Sequence, residues 1–444
     1  MRFIHTADWH LGNQMHEIDR RKECGVFFSW LKDVITEKCA DTLIVAGDIF
    51  DTANPSIDSR RLYYSFLASL VGSKCKNVVI IGGNHDSASM LDSAKELLDV
   101  LNIHVIGSVN NLTPADMCFE LYGENDEVCG ICMAVPYVRE IELRNLLSEV
   151  EKKGNDKSDK AIADSDLYSL SYKKLYDEVF REAENLRNGR KIPVIATGHL
   201  YADDLEGRLS EKKSNEKTDD GMKVLDVLGT LGNVPPAVFP PVSYVALGHV
   251  HYSTKVSGSH SIRYSGSPFV MGFDEAERPH HVLYVESKFT DEAEKASLSV
   301  EKIETPVTYA FKRISGTLAE IKQELGFLSE KAPVCEEKPL FLELCYKREL
   351  GVNPQNFLED SIRALPANMT VVSWRTLEND RKNNLSSSYM GSEGVDASEI
   401  KNLDDKEIFT QLILSKTGTD SESEEGRNAL EKFLPLFMQI AAEV

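Results

Sequence analysis

Short apolar runs alternate along the first half of this chain with longer stretches in which apolar residues recur every three or four positions. Arg2-Phe3-Ile4-His5-Thr6, Thr42-Leu43-Ile44-Val45-Ala46 and Asn77-Val78-Val79-Ile80-Ile81 predict strands. Between them, Phe27, Phe28, Trp30, Leu31, Val34 and Ile35 fall at helical spacing, as do Leu62, Tyr63, Phe66, Leu67 and Leu70. Continuous apolar strands separated by helices predict an α/β fold whose sheet is covered on both faces. Each of the three strands stops at residues with ligand chemistry: Asp8-Trp9-His10, Gly47-Asp48 and Gly83-Asn84-His85-Asp86. Sites in such folds lie beyond the strand C-termini.

The pattern resumes at His104–Ile106, Cys132–Pro136, Ile192–Ala196 before His199, and Val242–Leu247 before His249. Strands near Ser261–Tyr264 and His281–Val285 close a first domain at residues 1–290. The charged stretch 149–166 and the polar stretch 205–220 interrupt it. Strands at Tyr309–Phe311, Leu340–Leu344 and Thr370–Trp374, with helices at Leu318–Leu328 and Phe357–Leu365, predict a small α+β domain over 291–380. The Ser/Asn/Gly-rich segment 381–399 reads as a linker. In 400–444, Phe409, Leu412 and Ile413, then Phe433, Leu436 and Phe437, mark two amphipathic helices that pack on a partner or back on the chain.

Bulk properties narrow the class. A chain of 444 residues is long enough for two or three domains. No run approaches the ~20 apolar residues of a membrane span, and the N-terminus lacks the apolar core of a signal peptide, which predicts a cytoplasmic protein. The net charge of -21, taken alone, argues against a broad nucleic-acid-binding surface. It does not exclude a DNA enzyme, because cations neutralise carboxylates within a site. Cys129-Gly130-Ile131-Cys132 has no second CxxC at ligand spacing and lies in a strand-like pattern, so it reads as core.

The strand-end residues carry the chemistry. Asp8 and His10, two apart, are expected to point to one side. A carboxylate such as Asp48, directly after a buried strand, costs desolvation free energy unless it is paired or ligated. A bridging carboxylate holds two cations roughly 3.5–4 Å apart, a spacing suited to water activation and phosphate binding. Asn84 offers a neutral oxygen. His85, next to it, is placed to protonate a departing alkoxide, with a further ligand or a structural histidine as the other readings. Asp86 is expected to cap the following helix or orient His85. His199, His249 and His251 each follow an apolar strand; the remaining histidines have no such setting. A donor set of oxygen and imidazole without thiolate suits manganese or iron. The leading reading is a two-metal phosphoesterase.

The ordered series Asp8-x-His10, Gly47-Asp48, Gly83-Asn84-His85-Asp86, Gly198-His199 and Gly248-His249-Val250-His251 resembles the calcineurin-like metallophosphoesterase superfamily. With His5–Gly12, Ala46–Pro55 and Arg263–Pro268, it is similar to the SbcD-type nuclease subunits of bacteria. The resemblance implies a β-sandwich flanked by helices, a small α+β capping domain and C-terminal helices. It implies two Mn2+ ions, one held by Asp8, His10, Asp48 and His251, the other by Asp48, Asn84, His199 and His249, with His85 acting at the transition state. It further implies a homodimer within a heterotetramer with an SMC-like coiled-coil ATPase of the SbcC type. Double-stranded DNA ends and hairpins are the implied substrates, cut 3′-to-5′ or endonucleolytically in DNA repair and recombination at the nucleoid. Asp51 stands where archaeal and eukaryotic relatives carry a histidine. A phosphomonoesterase or cyclic-nucleotide phosphodiesterase on the same metal core is the rival reading.

Overall fold

The computed structural model describes residues 1–143, 164–202, 233–256, 259–289, 296–331, 338–348 and 352–377, with Lys432. The predicted loop 205–220, the linker 381–399 and, Lys432 apart, the helices of 400–444 lie outside the described residues. Met1–Asp219 and Thr230–Leu377 cluster into one compact unit.

Two six-stranded sheets form its centre. The first contains β1 (Arg2–Thr6), β2 (Thr42–Ala46), β3 (Asn77–Ile81), β4 (Ile103–Ile106), β13 (His281–Lys288) and β14 (Ser297–Glu304), in the order β14-β13-β1-β2-β3-β4. The second contains β5 (Cys118–Tyr122), β6 (Val128–Met133), β7 (Val194–His199), β10 (Tyr244–Gly248), β11 (Thr254–Lys255) and β12 (Ile262–Tyr264), in the order β11-β12-β10-β7-β6-β5. β1 to β4 are mutually parallel, as are β12, β10, β7 and β6. Two-residue strands β8 (Tyr201–Ala202) and β9 (Asn233–Val234) pair separately.

Strand alternation divides the core. On β2 and β3, Leu43, Val45, Val78 and Ile80 point outward to helices α1 (Arg21–Glu37) and α2 (Ile57–Leu70), through Phe27, Phe28, Leu31, Phe66 and Leu67. Phe3 and Ile44 point the other way and meet Ile195, Tyr244 and Ala246 of the second sheet. The predicted two-sided covering is therefore helices on one face and the second sheet on the other. After the short helices α3 (Ala88–Leu91) and α4 (Lys95–Asp99), α5 (Asp164–Arg187) covers the outer face of the second sheet through Tyr172, Leu175, Tyr176 and Val179. His5 crosses the sandwich, with Nδ1 3.0 Å from the Tyr244 hydroxyl and Nε2 3.2 Å from the Leu247 carbonyl. Burial lowers its pKa to about 3, so it bridges the sheets as a neutral, fully bonded group.

β14 pairs along its whole length with β13, so the first sheet continues past residue 290 to Glu304. Beyond it, β15 (Ala310–Gly316), α6 (Leu318–Lys331), β16 (Leu340–Lys347), α7 (Pro354–Arg363) and β17 (Met369–Leu377) form a three-stranded parallel sheet with β16 central. Leu318, Ile321, Leu325 and Leu358 of its helices pack against Ile314, Leu342 and Leu344. On the sheet's other face, Phe311, Phe341 and Val372 join Met15, Ile18 and Phe273 of the preceding segments. Among the described residues no helix is long and apolar enough to cross a membrane.

One side chain ties this frame to the strand-end residues. Trp9, 1% exposed, lies between Asp8 and His10. Its indole N–H donates to Thr6 Oγ1 at 3.0 Å, and its ring stands edge-on to Phe27, Phe28 and Phe66 with centroids 5.0–6.2 Å away. Trp9→Ala is expected to lower unfolding free energy by about 3–5 kcal/mol in urea titrations. A loss below ~1 kcal/mol would show that the loop does not depend on this anchor.

Candidate metal centre

The C-terminal ends of β1, β2, β3, β7 and β10 meet where the two sheets abut. Hydrogen bonds lock the first two loops together: Asp8 N–H donates to Gly47 O at 3.0 Å, His10 N–H to Asp48 O at 3.0 Å, and Leu11 N–H to Ile49 O at 2.9 Å. Asp8, His10, Asp48 and His249 all have positive φ, at 53°, 43°, 50° and 93°. Such backbone costs on the order of 1–3 kcal/mol per residue and concentrates at functional sites. The convergence of Asp8 and His10 is thus produced by a kinked loop, and not by the extended-strand alternation that their spacing suggested. Glycine is required on both sides of Asp48. A Cβ on Gly47 (φ 92°) would lie 2.2 Å from His199 Nδ1, and one on Gly83 would lie 2.1 Å from Asp48 Oδ1.

The side chains fall into two groups that share Asp48. In the first, Asp8, His10 and His251 bring ligand atoms within 4.8 Å of one another, and His10 Nε2 faces His251 Nε2 at 3.3 Å. In the second, Asn84 Oδ1 lies 2.9 Å from both His199 Nε2 and His249 Nδ1. Asp48 Oδ2 stands between them, 3.6 Å from His10 Nε2 and 3.3 Å from His199 Nε2. Asp8, the other buried carboxylate, accepts the His249 backbone N–H at 2.9 Å. Two carboxylates, four imidazoles and one amide oxygen, with facing imidazole nitrogens, fit two divalent ions that prefer nitrogen and oxygen donors.

Charge among the centre's own side chains is organised around the same pair. Burial alone would raise the Asp48 pKa, but the positive His199 and its hydrogen bond push it well below the carboxylate range. Burial likewise disfavours charged His199, yet the Asp48 charge and contact outweigh it and raise His199 to about 9. His249 is lowered to about 4, by burial first and then by the His199 charge. Burial raises the Asp8 carboxyl. His199 Nδ1 lies 2.9 Å from the Ala46 carbonyl, which can only accept, so Nδ1 carries a hydrogen and Nε2 is left for an ion.

His85 is exposed and lies beside the first group, with its ring edge-on to His10 at 4.9 Å between centroids. Its backbone N–H donates to Asp48 Oδ1 at 2.9 Å, and its Nδ1 lies 2.8 Å from the Asp51 carbonyl. Asp86 corrects an expectation, because it neither orients His85 nor caps the following helix. Its carboxylate accepts the N–H groups of Ile49, Phe50 and Gly83 at 2.9–3.0 Å and clamps the β2 and β3 loops together. Two acids contribute more than their sequence setting suggested. Asp51 Oδ1 lies 3.4 Å from His10 Nδ1 and accepts from the Asn13 amide at 3.0 Å. Glu275, which no spacing singled out, lies 3.5 Å from His251 Nδ1. Burial opposes a positive His251, but the Glu275 carboxylate beside its ring outweighs it and raises the His251 pKa.

Residues 1–253 match the calcineurin-like phosphoesterase family. The chain belongs to that family. It is also similar to bacterial proteins named as the D component of the nuclease SbcCD. The one from Escherichia coli K12 is 30% identical over 371 residues, spanning 83% of this chain and 82% of the relative. That of Rhodobacter capsulatus is 31% identical over 294 residues, 64% of this chain and 66% of the relative. That of Bacillus subtilis is 28% identical over 297 residues, 66% and 68%. Membership in the phosphoesterase family and three acid–histidine clusters, Asp8 with His10 and His251, His10 with Asp51 and His85, and Asp8 with Asp48 and His199, agree on a centre with the capacity for two metal ions.

With its pKa raised to about 9 by Asp48, His199 holds a proton at pH 7, and an ion taken at its Nε2 would have to displace that proton. Its affinity for Mn2+ is therefore expected to rise by about tenfold per pH unit from 7 towards 9 and to level off above. Calorimetry in buffers of different ionisation enthalpy should record release of at least one proton per chain. Binding without proton release would contradict this arrangement.

Proposed function

We propose that this chain is the nuclease component of a DNA end-processing complex, a manganese-dependent phosphodiesterase acting on double-stranded ends and hairpins. The observation that carries the reading is Asp48 Oδ2 standing between the His10 and His199 imidazoles, in a chain similar over 83% of its length to the D component of the Escherichia coli nuclease SbcCD. Asp8, His10, Asp48 and His251 would hold one ion, and Asp48, Asn84, His199 and His249 the other. Two ions bound there supply Lewis acidity, a more acidic water and a grip on a phosphate oxygen.

The chain's own residues do the rest. The Asp51 carbonyl can only accept, so His85 keeps a hydrogen on Nδ1 and exchanges its second proton at Nε2. In the protonated state His85 gives that proton to the leaving alkoxide. Asp86 and the two glycines hold the loops so that Asp48 and Asn84 keep their places. The parallel unit after Glu304 is read as a cap over the DNA end, and residues 400–444 as the docking segment for an SMC-like coiled-coil ATPase, with two such chains in the complex. A net charge of -21 makes the isolated chain's hold on DNA weak and salt-sensitive, so the partner supplies most of the affinity. No residue of the proposed centre is assigned to reading a base edge, so end geometry governs selection.

His85→Ala is expected to keep two ions and lose roughly 10²–10⁴-fold in cleavage rate. Loss of metal with activity regained at high Mn2+ would make His85 a ligand. An end-labelled duplex, a hairpin and p-nitrophenyl phosphate, assayed side by side with Mn2+, test the substrate. DNA cleavage with little monoester turnover is expected. Strong monoester turnover with intact DNA, even with the ATPase and ATP present, would assign the centre to a phosphatase.

A further inference from the structure

Glu275 is a half-buried acid beside the candidate centre that the scheme above leaves without a task. It sits on the turn between Phe269 and β13, with one carboxylate oxygen held by the backbone and the other facing His251. Oε2 accepts the Met271 N–H at 2.8 Å, and Oε1 lies 3.5 Å from His251 Nδ1. The opposite nitrogen of that ring, Nε2, is the one facing His10 Nε2 at 3.3 Å. A carboxylate only accepts, so an imidazole whose Nδ1 faces Glu275 carries its hydrogen there and presents the Nε2 lone pair to an ion.

The turn itself is pinned from several sides. Glu275 N–H donates to Gly272 O at 3.0 Å, and Arg278 N–H to Glu275 O at 2.9 Å. Arg20 Nη1 donates to Val270 O at 2.8 Å. Phe273, 5% exposed, is seated edge-on to Phe311 of the three-stranded sheet at 5.7 Å, with His16 on it at 5.5 Å. The Met271 N–H thus holds the carboxylate on the side of the turn that faces His251.

We propose that Glu275 is a positioning residue which fixes the ring orientation of His251 and thereby sets the affinity of one of the two ion positions. The turn seated on the parallel sheet holds it in place. The inference rests on the reading of a binuclear metal centre, and the two fail differently.

Calorimetric titration with Mn2+ of the full chain, the isosteric Glu275→Gln and Glu275→Ala tests it, with thermal unfolding followed in parallel. The wild-type chain is expected to bind two ions. In Glu275→Ala one of them should weaken by about 10- to 100-fold and the other by no more than about threefold, with a smaller loss at the same position in Glu275→Gln. The unfolding temperature of Glu275→Gln should match that of the wild type. Equal weakening of both positions, or weakening that only tracks a fall in unfolding temperature, would make Glu275 a structural residue and overturn the proposal. Unchanged affinities in both variants would also overturn it. A wild-type chain that never binds a second ion would instead overturn the binuclear reading, and this inference with it.

Discussion

The structure turns on one buried carboxylate shared between two sets of imidazoles. Asp48 Oδ2 lies 3.6 Å from His10 and 3.3 Å from His199, residues supplied by different sheets. A carboxylate that is 2% exposed is tolerable only because its charge is met by positive imidazole or by metal. Everything near it serves that placement. Gly47 and Gly83 leave the space, Asp86 ties the β2 and β3 loops through three backbone hydrogen bonds, and Trp9 anchors the β1 loop in the helical layer.

The sandwich explains why the two halves of the donor set meet. Parallel strands end together, so β1, β2 and β3 deliver Asp8, His10, Asp48 and Asn84 to one edge. β7 and β10 deliver His199, His249 and His251 to the corresponding edge of the second sheet. The register is fixed by alternation, because a shift of one residue would turn Ile44 and Phe3 away from Tyr244 and Ala246. His5 adds a polar bridge across the same interface without an unpaired group. The neutral bridge lies within β1, whereas the charged pair of the centre, Asp48 and His199, comes from the ends of β2 and β7.

The candidate donors that the fold brings together could be named from the sequence because each follows an apolar run, where a polar side chain is costly unless it has a partner. Their packing together was not legible. The left-handed backbone at Asp8 and His10 gives no periodic signal, and the covering of one sheet by another cannot be told from a helix layer by apolar runs alone. The charged edge strand β14 was missed because its core contacts, Leu298, Val300 and Ile303, break the two-residue alternation and are only partly buried. Asp86 looked like a helix cap because it precedes a helix; its true partners lie on the neighbouring loop. Glu275 was invisible because its link to His251 comes from the folding back of a turn, and no local spacing encodes it.

The central claim is that one carboxylate joins two ion positions. Electron paramagnetic resonance of the full chain loaded with two equivalents of Mn2+ tests it most directly. Ions bridged by Asp48 should be exchange-coupled and give the broad signal of an interacting pair, with the isolated-ion spectrum returning in Asp48→Ala. An isolated-ion spectrum in the wild-type chain at full occupancy would contradict the account.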